Sequence, residues 1–161
     1  MKMKTLTGVA VAASVMGTLA AGADRVDAAD PNTISQFFFD INVPTKLSTD
    51  SYGDPLISVR TDDGVGYAIF FYGCTDNANC THVQFYRGYE TDGQVGLDIV
   101  NELNVEHNFV KLMLDDEDDV IILMDVLTGE GGMDPIDFDA LYGQLNKVVE
   151  AFETRVNWTS D

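Results

Sequence analysis

A chain of 161 residues with 45% hydrophobic residues amounts to one domain with enough apolar content for a core, which excludes a disordered protein. Nine Lys and Arg against 27 Asp and Glu give a net charge of -18. That field repels nucleic acid and anionic lipid headgroups, so neither is expected as a partner.

Lys2 and Lys4 precede an uncharged stretch from Thr5 to Ala23 that carries Leu6, Val9, Val11, Val15, Met16 and Leu19. This is the pattern of a signal peptide over residues 1–23. Its many small and hydroxylated residues make a weak membrane span. Ala21-Gly22-Ala23 fits the small-x-small cleavage rule, and a second site follows Ala28. The expectation is an exported protein, periplasmic or secreted, that begins at Asp24, or else at Ala29, with no membrane contact after cleavage. Residues 24–30 lack an apolar face and are expected to form a flexible tail.

In the mature chain, Ile34, Phe37, Phe38 and Ile41 fall on one helical face, and Pro44 ends that helix. Lys46 to Thr49 reads as a strand, Tyr52-Gly53-Asp54-Pro55 as a turn, and Leu56 to Arg60 as the next strand. Asp63-Gly64 suits a tight hairpin. The aromatic and β-branched runs Val65 to Tyr72 and Thr81 to Arg87 flank a cluster of turn formers, which predicts an antiparallel hairpin. Cys74 and Cys80 lie at its mouth, within bridging distance for facing strand ends. In an exported protein this pair is expected to form a disulfide.

A helical pattern runs from Gln94 to His107, and strand-like segments follow at Phe109 to Leu114 and Val120 to Leu127. The acidic run Asp115 to Asp119 lies between them, predicting a second hairpin with an acidic tip. The last helix is the clearest element. Asp134 caps it, Pro135 suits its first position, and Phe138, Leu141, Tyr142, Leu145, Val148, Val149, Phe152 and Val156 share one arc. Residues 157–161 read as a tail. Strand pairs between helices make an α+β class with an antiparallel sheet.

Taken in order, Gly53-Asp54-Pro55-Leu56-Ile57, Phe70-Phe71-Tyr72-Gly73-Cys74 and Cys80-Thr81-His82-Val83-Gln84-Phe85-Tyr86 resemble the first half of YbjN-domain proteins, bacterial proteins labelled sensory transduction regulators. Asn101-Glu102-Leu103-Asn104 before Phe109, and Met124-Asp125-Val126 with Gly131-Gly132, resemble the second half. The resemblance covers residues 31–156. It implies a fold similar to class I type III secretion chaperones, in the order helix, three strands, helix, two strands, helix. It also implies a non-enzymatic domain that binds a protein or peptide, with an envelope sensor for a small ligand or cation as the alternative.

Secretion chaperones of that class dimerise through the helix that corresponds to Gln94 to Glu106. Val95, Ile99, Val100 and Leu103 occupy one arc there, while Leu97 lies well round from Val95. Leu97 is therefore either a lone exposed leucine or part of a homodimer interface.

No arrangement of residues predicts catalysis, a cofactor or a metal. The acidic run fails the EF-hand register, with Val120 where Gly is needed and Val126 where Glu is needed. Gly129 to Gly132 stands where a phosphate cradle would sit, but carboxylates crowd it and no Lys or Arg lies within it. His82 and His107 belong to no catalytic motif.

Overall fold

The computed structural model describes residues 25–61 and 66–159. The expected signal peptide, its cleavage motif and the Asp63-Gly64 turn lie outside these residues. The elements are α1 (Pro31–Asp40), β1 (Thr45–Thr49), β2 (Pro55–Arg60), β3 (Gly66–Tyr72), β4 (His82–Tyr89), α2 (Leu97–Glu106), β5 (Lys111–Leu114), β6 (Val120–Leu127) and α3 (Pro135–Val156). The six strands form one sheet in the order β1-β2-β3-β4-β6-β5. Every neighbouring pair is antiparallel. No helix among the described residues is long and apolar enough to cross a membrane.

The α+β class is as the sequence predicts, but four strands precede α2 where the resemblance implies three. The extra one is the edge strand β1, which pairs with β2 from Thr45↔Val59 to Thr49↔Pro55. It is the strand that the residues themselves predict at Lys46 to Thr49, although its side chains are mostly exposed and show no core-facing alternation.

Alternation is strong in the central strands and sets the layers. Tyr67, Ile69 and Phe71 of β3, with Val83, Phe85, Arg87 and Tyr89 of β4, point to one face and are buried there. The helices cover that face through rings. Phe38 of α1 meets Phe85 at 6.4 Å, Phe138 of α3 meets Phe85 at 5.8 Å, and Phe152 meets Tyr89 at 4.6 Å. Burial of such rings is the main stabilising term, at about 25 cal/mol per Å² of apolar surface.

Three boundaries differ from the sequence reading. Residues 25–28 are built into the core instead of trailing as a tail, with Val26 1% exposed and Ala28 0%. Helix α2 begins at Leu97 rather than Gln94, because the stretch before it turns to reach Asp119. There the Asp119 Oδ1 accepts from the Thr91 and Asp92 amides at 2.7 and 3.0 Å. At the other end, Asn157 closes α3 in the left-handed conformation, and Trp158 packs edge-on against Tyr89 at 5.0 Å. Asn157 and Trp158, expected to lie in a tail, are therefore part of the fold.

Candidate binding surface

The face of the sheet away from the helices is open among the described residues. Strand register places its side chains in rungs. One rung runs Leu56, Phe70, Gln84, Asp125, and the next runs Ser58, Ala68, Tyr86, Leu123, Lys111. A third joins Tyr72, His82 and Leu127, and a fourth joins Gly88, Ile121 and Met113. Phe70 and Tyr86 meet edge-to-face at 5.8 Å, and Tyr72 stacks on His82 at 5.5 Å. The result is a surface of aromatic and aliphatic side chains interspersed with Ser58, Gln84, Asp125 and Lys111.

Two clefts end this surface. One, of about 570 Å³, lies between the β1–β2 turn and β3 and includes Tyr52, Leu56, Phe70 and Tyr72. Its wall is held by Asp50, whose Oδ1 accepts from the Tyr52 and Asp54 amides at 2.8 and 3.0 Å. The other, of about 310 Å³, includes Tyr86, Gly88, Glu90 and Ile121. The missing side chain at Gly88 opens it, since a Cβ there would stand 3.2 Å from the Tyr86 hydroxyl.

Within the strand rungs of this face the charge balance departs from that of the molecule. Lys46 pairs with Ser58, Arg60 with Gly66 and Lys111 with Leu123, which puts all three cations in the rungs of the open face. Asp125 is the carboxylate within those rungs, and Gln84 donates to it at 2.7 Å, while Asp50, Asp54, Glu90, Asp115 and Asp119 line the clefts at the two ends. Desolvation raises the pKa of Tyr72 above its ordinary value, with the Asp125 and Asp50 carboxylates adding to the effect, so its hydroxyl stays neutral.

The chain matches the family model YbjN, described as "Putative bacterial sensory transduction regulator", over residues 30–158. The chain belongs to the YbjN family. No curated protein matches it. Among solved structures it is similar to the Yersinia pestis type III secretion chaperone SycH, crystallised in complex with a stable fragment of YscM2. That similarity has 12% sequence identity and a TM-score of 0.46, and covers 72% of this chain and 93% of that one.

In this YbjN domain, Cys74 and Cys80 are joined in a disulfide, and no described cysteine is free. The register that pairs Tyr72 with His82, continued two residues outward, brings them together. The residues singled out in α2 do not form one exposed stripe. Val95, Val100 and Leu103 belong to the core, and Ile99 is half-buried beside Trp158. Leu97 alone of the five stays outside, at 61% exposure, with Val105 and Phe109 as exposed neighbours in sequence.

The acidic tip is a self-contained turn. Asp115 Oδ1 accepts from the Glu117 and Asp119 amides, both at 2.9 Å. With Asp119 committed to residues 91 and 92, two of its carboxylates are engaged by backbone amides. Among the described residues no three His, Cys, Asp or Glu side chains converge to hold a metal.

Sequence reasoning missed two features. One is the open face itself, because only register tells which half of each aromatic strand faces outward. The other is the job of Asn104 in the Asn-x-x-Asn segment. It donates to the Leu112 carbonyl at 3.0 Å and accepts from the Leu112 amide at 2.8 Å. Those are outward groups of edge strand β5, which its side chain closes.

Proposed function

We propose that this YbjN domain is exported and non-enzymatic, and that it binds a protein or peptide partner across the open face of its sheet. The observation that carries this reading is the aromatic centre of that face and the three cations in its strand rungs. In a chain of net charge -18, Phe70, Tyr72 and Tyr86 form an apolar centre, the strand rungs beside it carry Lys46, Arg60 and Lys111 against Asp125, and further carboxylates line the two end clefts. The partner that fits is a segment with aromatic or aliphatic side chains for the centre and carboxylates for Lys46, Arg60 and Lys111. Aromatic residues in a partly shielded patch are the usual anchors of such contacts.

The test is photo-crosslinking in the envelope of a host that expresses the full chain. A crosslinker at Phe70 or Tyr86 is expected to give a discrete adduct, and one at Glu150 on α3 is not. Lys46→Glu with Lys111→Glu is expected to weaken the adduct at least tenfold. Equal labelling from both faces would refute the reading.

A groove of about 510 Å³ between α1 and the start of α3 supports the alternative, a sensor for a small ligand. Its lining includes Val26, Phe37, Ile41, Pro135 and Ile136. A small apolar ligand that bound there would raise the melting temperature of the isolated protein without any partner.

A further inference from the structure

Residues 25–28 hold the crossover between β6 and α3 closed. Val26 forms an isolated antiparallel bridge with Met133, its amide donating to the Met133 carbonyl at 3.0 Å and its carbonyl accepting from the Met133 amide at 2.7 Å. Arg25 donates from Nε and Nη2 to the Gly132 carbonyl, at 3.0 and 2.7 Å. The Asp27 amide donates to Thr33 Oγ1 at 2.8 Å, and the Ala28 amide donates to Thr128 Oγ1 at 3.1 Å. Four consecutive residues are thus tied to α1, to the end of β6 and to the crossover, with two of them fully inside the core.

The crossover is shaped to receive them. Gly132 has φ +80°, and a Cβ on it would stand 2.9 Å from the Val26 carbonyl oxygen and 3.0 Å from the Arg25 Cβ. Gly129, at φ +74°, would meet nothing within 4 Å. Both positions favour glycine through φ, but only Gly132 also needs it for close approach. The glycines that sequence places where a phosphate cradle would sit serve instead, at Gly132, as a seat for this segment. The family match starts at residue 30, so the family does not account for it.

We infer that residues 25–28 are a strap belonging to the mature fold, and that the protein which accumulates after export is cut between Ala23 and Asp24 and not after Ala28. The second half rests on the export reading above. Hydrolysis of the Ala23–Asp24 peptide bond by an endopeptidase takes up one water, frees residues 1–23 with a carboxylate end, and leaves an α-ammonium on Asp24. The strap survives. Hydrolysis after Ala28 removes Arg25, Val26, Asp27 and Ala28 together, leaving the Met133 amide, the Gly132 carbonyl and the Thr128 hydroxyl without these partners and a void where Val26 and Ala28 sat.

The experiment uses the full precursor with a C-terminal tag, expressed in a bacterium. Intact mass of the envelope form is expected to show loss of residues 1–23. A stable form that begins at Ala29 would overturn the inference. A second precursor, with residues 24–28 deleted so that the same leader joins Ala29, is expected to melt lower by more than about 5 °C or fail to accumulate. Equal melting would overturn the strap.

Gly132→Ala and Gly129→Ala supply a milder arm. In the full chain Gly132→Ala is expected to melt below Gly129→Ala, and in the deletion background the two are expected to cost the same. An equal cost in both backgrounds would overturn the contact. A chain that keeps Met1 in the cytoplasm would defeat export and the cleavage together, while the glycine comparison on that same protein still decides the strap.

Discussion

Arg87 is a cation taken out of water on the helix side of β4. Its Nη2 donates to Glu153 Oε1 at 2.6 Å, and its guanidinium carbon sits 4.6 Å from the centre of the Tyr89 ring and 5.6 Å from that of Tyr67. Nε and Nη1 are buried with no hydrogen-bond partner among the described residues, so the rings and a single carboxylate carry the whole charge. Removing the carboxylate is therefore costly. Glu153→Ala is expected to destabilise by about 3 kcal/mol in urea unfolding, and adding Arg87→Met should recover most of that loss, since an apolar pair leaves no charge unpaired.

The same cluster predicts an alkaline limit. Burial raises the Tyr89 pKa well above its ordinary value of 10.0; Arg87 opposes the shift, and Glu153, which accepts from the hydroxyl at 2.9 Å, adds to it. The folded chain thus keeps a proton that the unfolded chain releases above pH 10. Stability attached to Tyr89 is complete below that pH and falls as pH rises beyond it, by up to about 1.4 kcal/mol per unit. A melting series from pH 9 to 11 should show a shallower decline for Tyr89→Phe than for wild type.

At the scale of elements, α2 and β5 behave as one unit because Asn104 bonds both backbone groups of Leu112. Asn104→Asp can still accept from the amide but cannot donate to the carbonyl, and Asn104→Ala does neither. Amide exchange at Leu112 should accelerate in the order wild type, Asn104→Asp, Asn104→Ala, with the alanine variant costing about 1 to 2 kcal/mol. Unchanged exchange in the alanine variant would remove Asn104 from this role.

How far sequence reached is also clearest at this scale. Helix α3 was legible to its first residue because three local signals agree: the Asp134 cap, Pro135, and an unbroken apolar arc. The start of α2 was not, because Val95 falls in phase with the helix while its backbone belongs to a turn held from Asp119. The strap was illegible for a related reason. Val26 and Ala28 sit in a short charged stretch whose partners, Met133 and Thr128, lie about a hundred positions away. The candidate surface was illegible because the aromatic strands read alike on both faces, whereas Tyr67 and Phe71 face the helices and Phe70 and Tyr72 face outward.

Across the whole molecule, repulsion among carboxylates is the long-range term. With 27 acidic and nine basic residues in the chain, each carboxylate meets mostly like charges within the Debye length of about 10 Å at 0.1 M salt. Among the described residues the opposing ion pairs are few. Arg155 pairs with Glu102 at 2.8 Å and with Glu106 at 3.1 Å on the surface, where such pairs contribute roughly 1 kcal/mol or less and are screened in turn. The Arg87–Glu153 pair is sheltered and responds little to salt.

Repulsion should therefore prevail, and the melting temperature is expected to rise by several degrees between about 10 mM and 0.3 M NaCl at fixed protein concentration. The same titration separates folding from self-association. A dimer through the exposed Leu97, Val105 and Phe109 would make melting depend on protein concentration as well, and Leu97→Asp would remove that dependence while leaving the salt response of the monomer intact. A melting temperature that falls as NaCl is added would instead mean that the surface ion pairs of Arg155 outweigh the carboxylate repulsion.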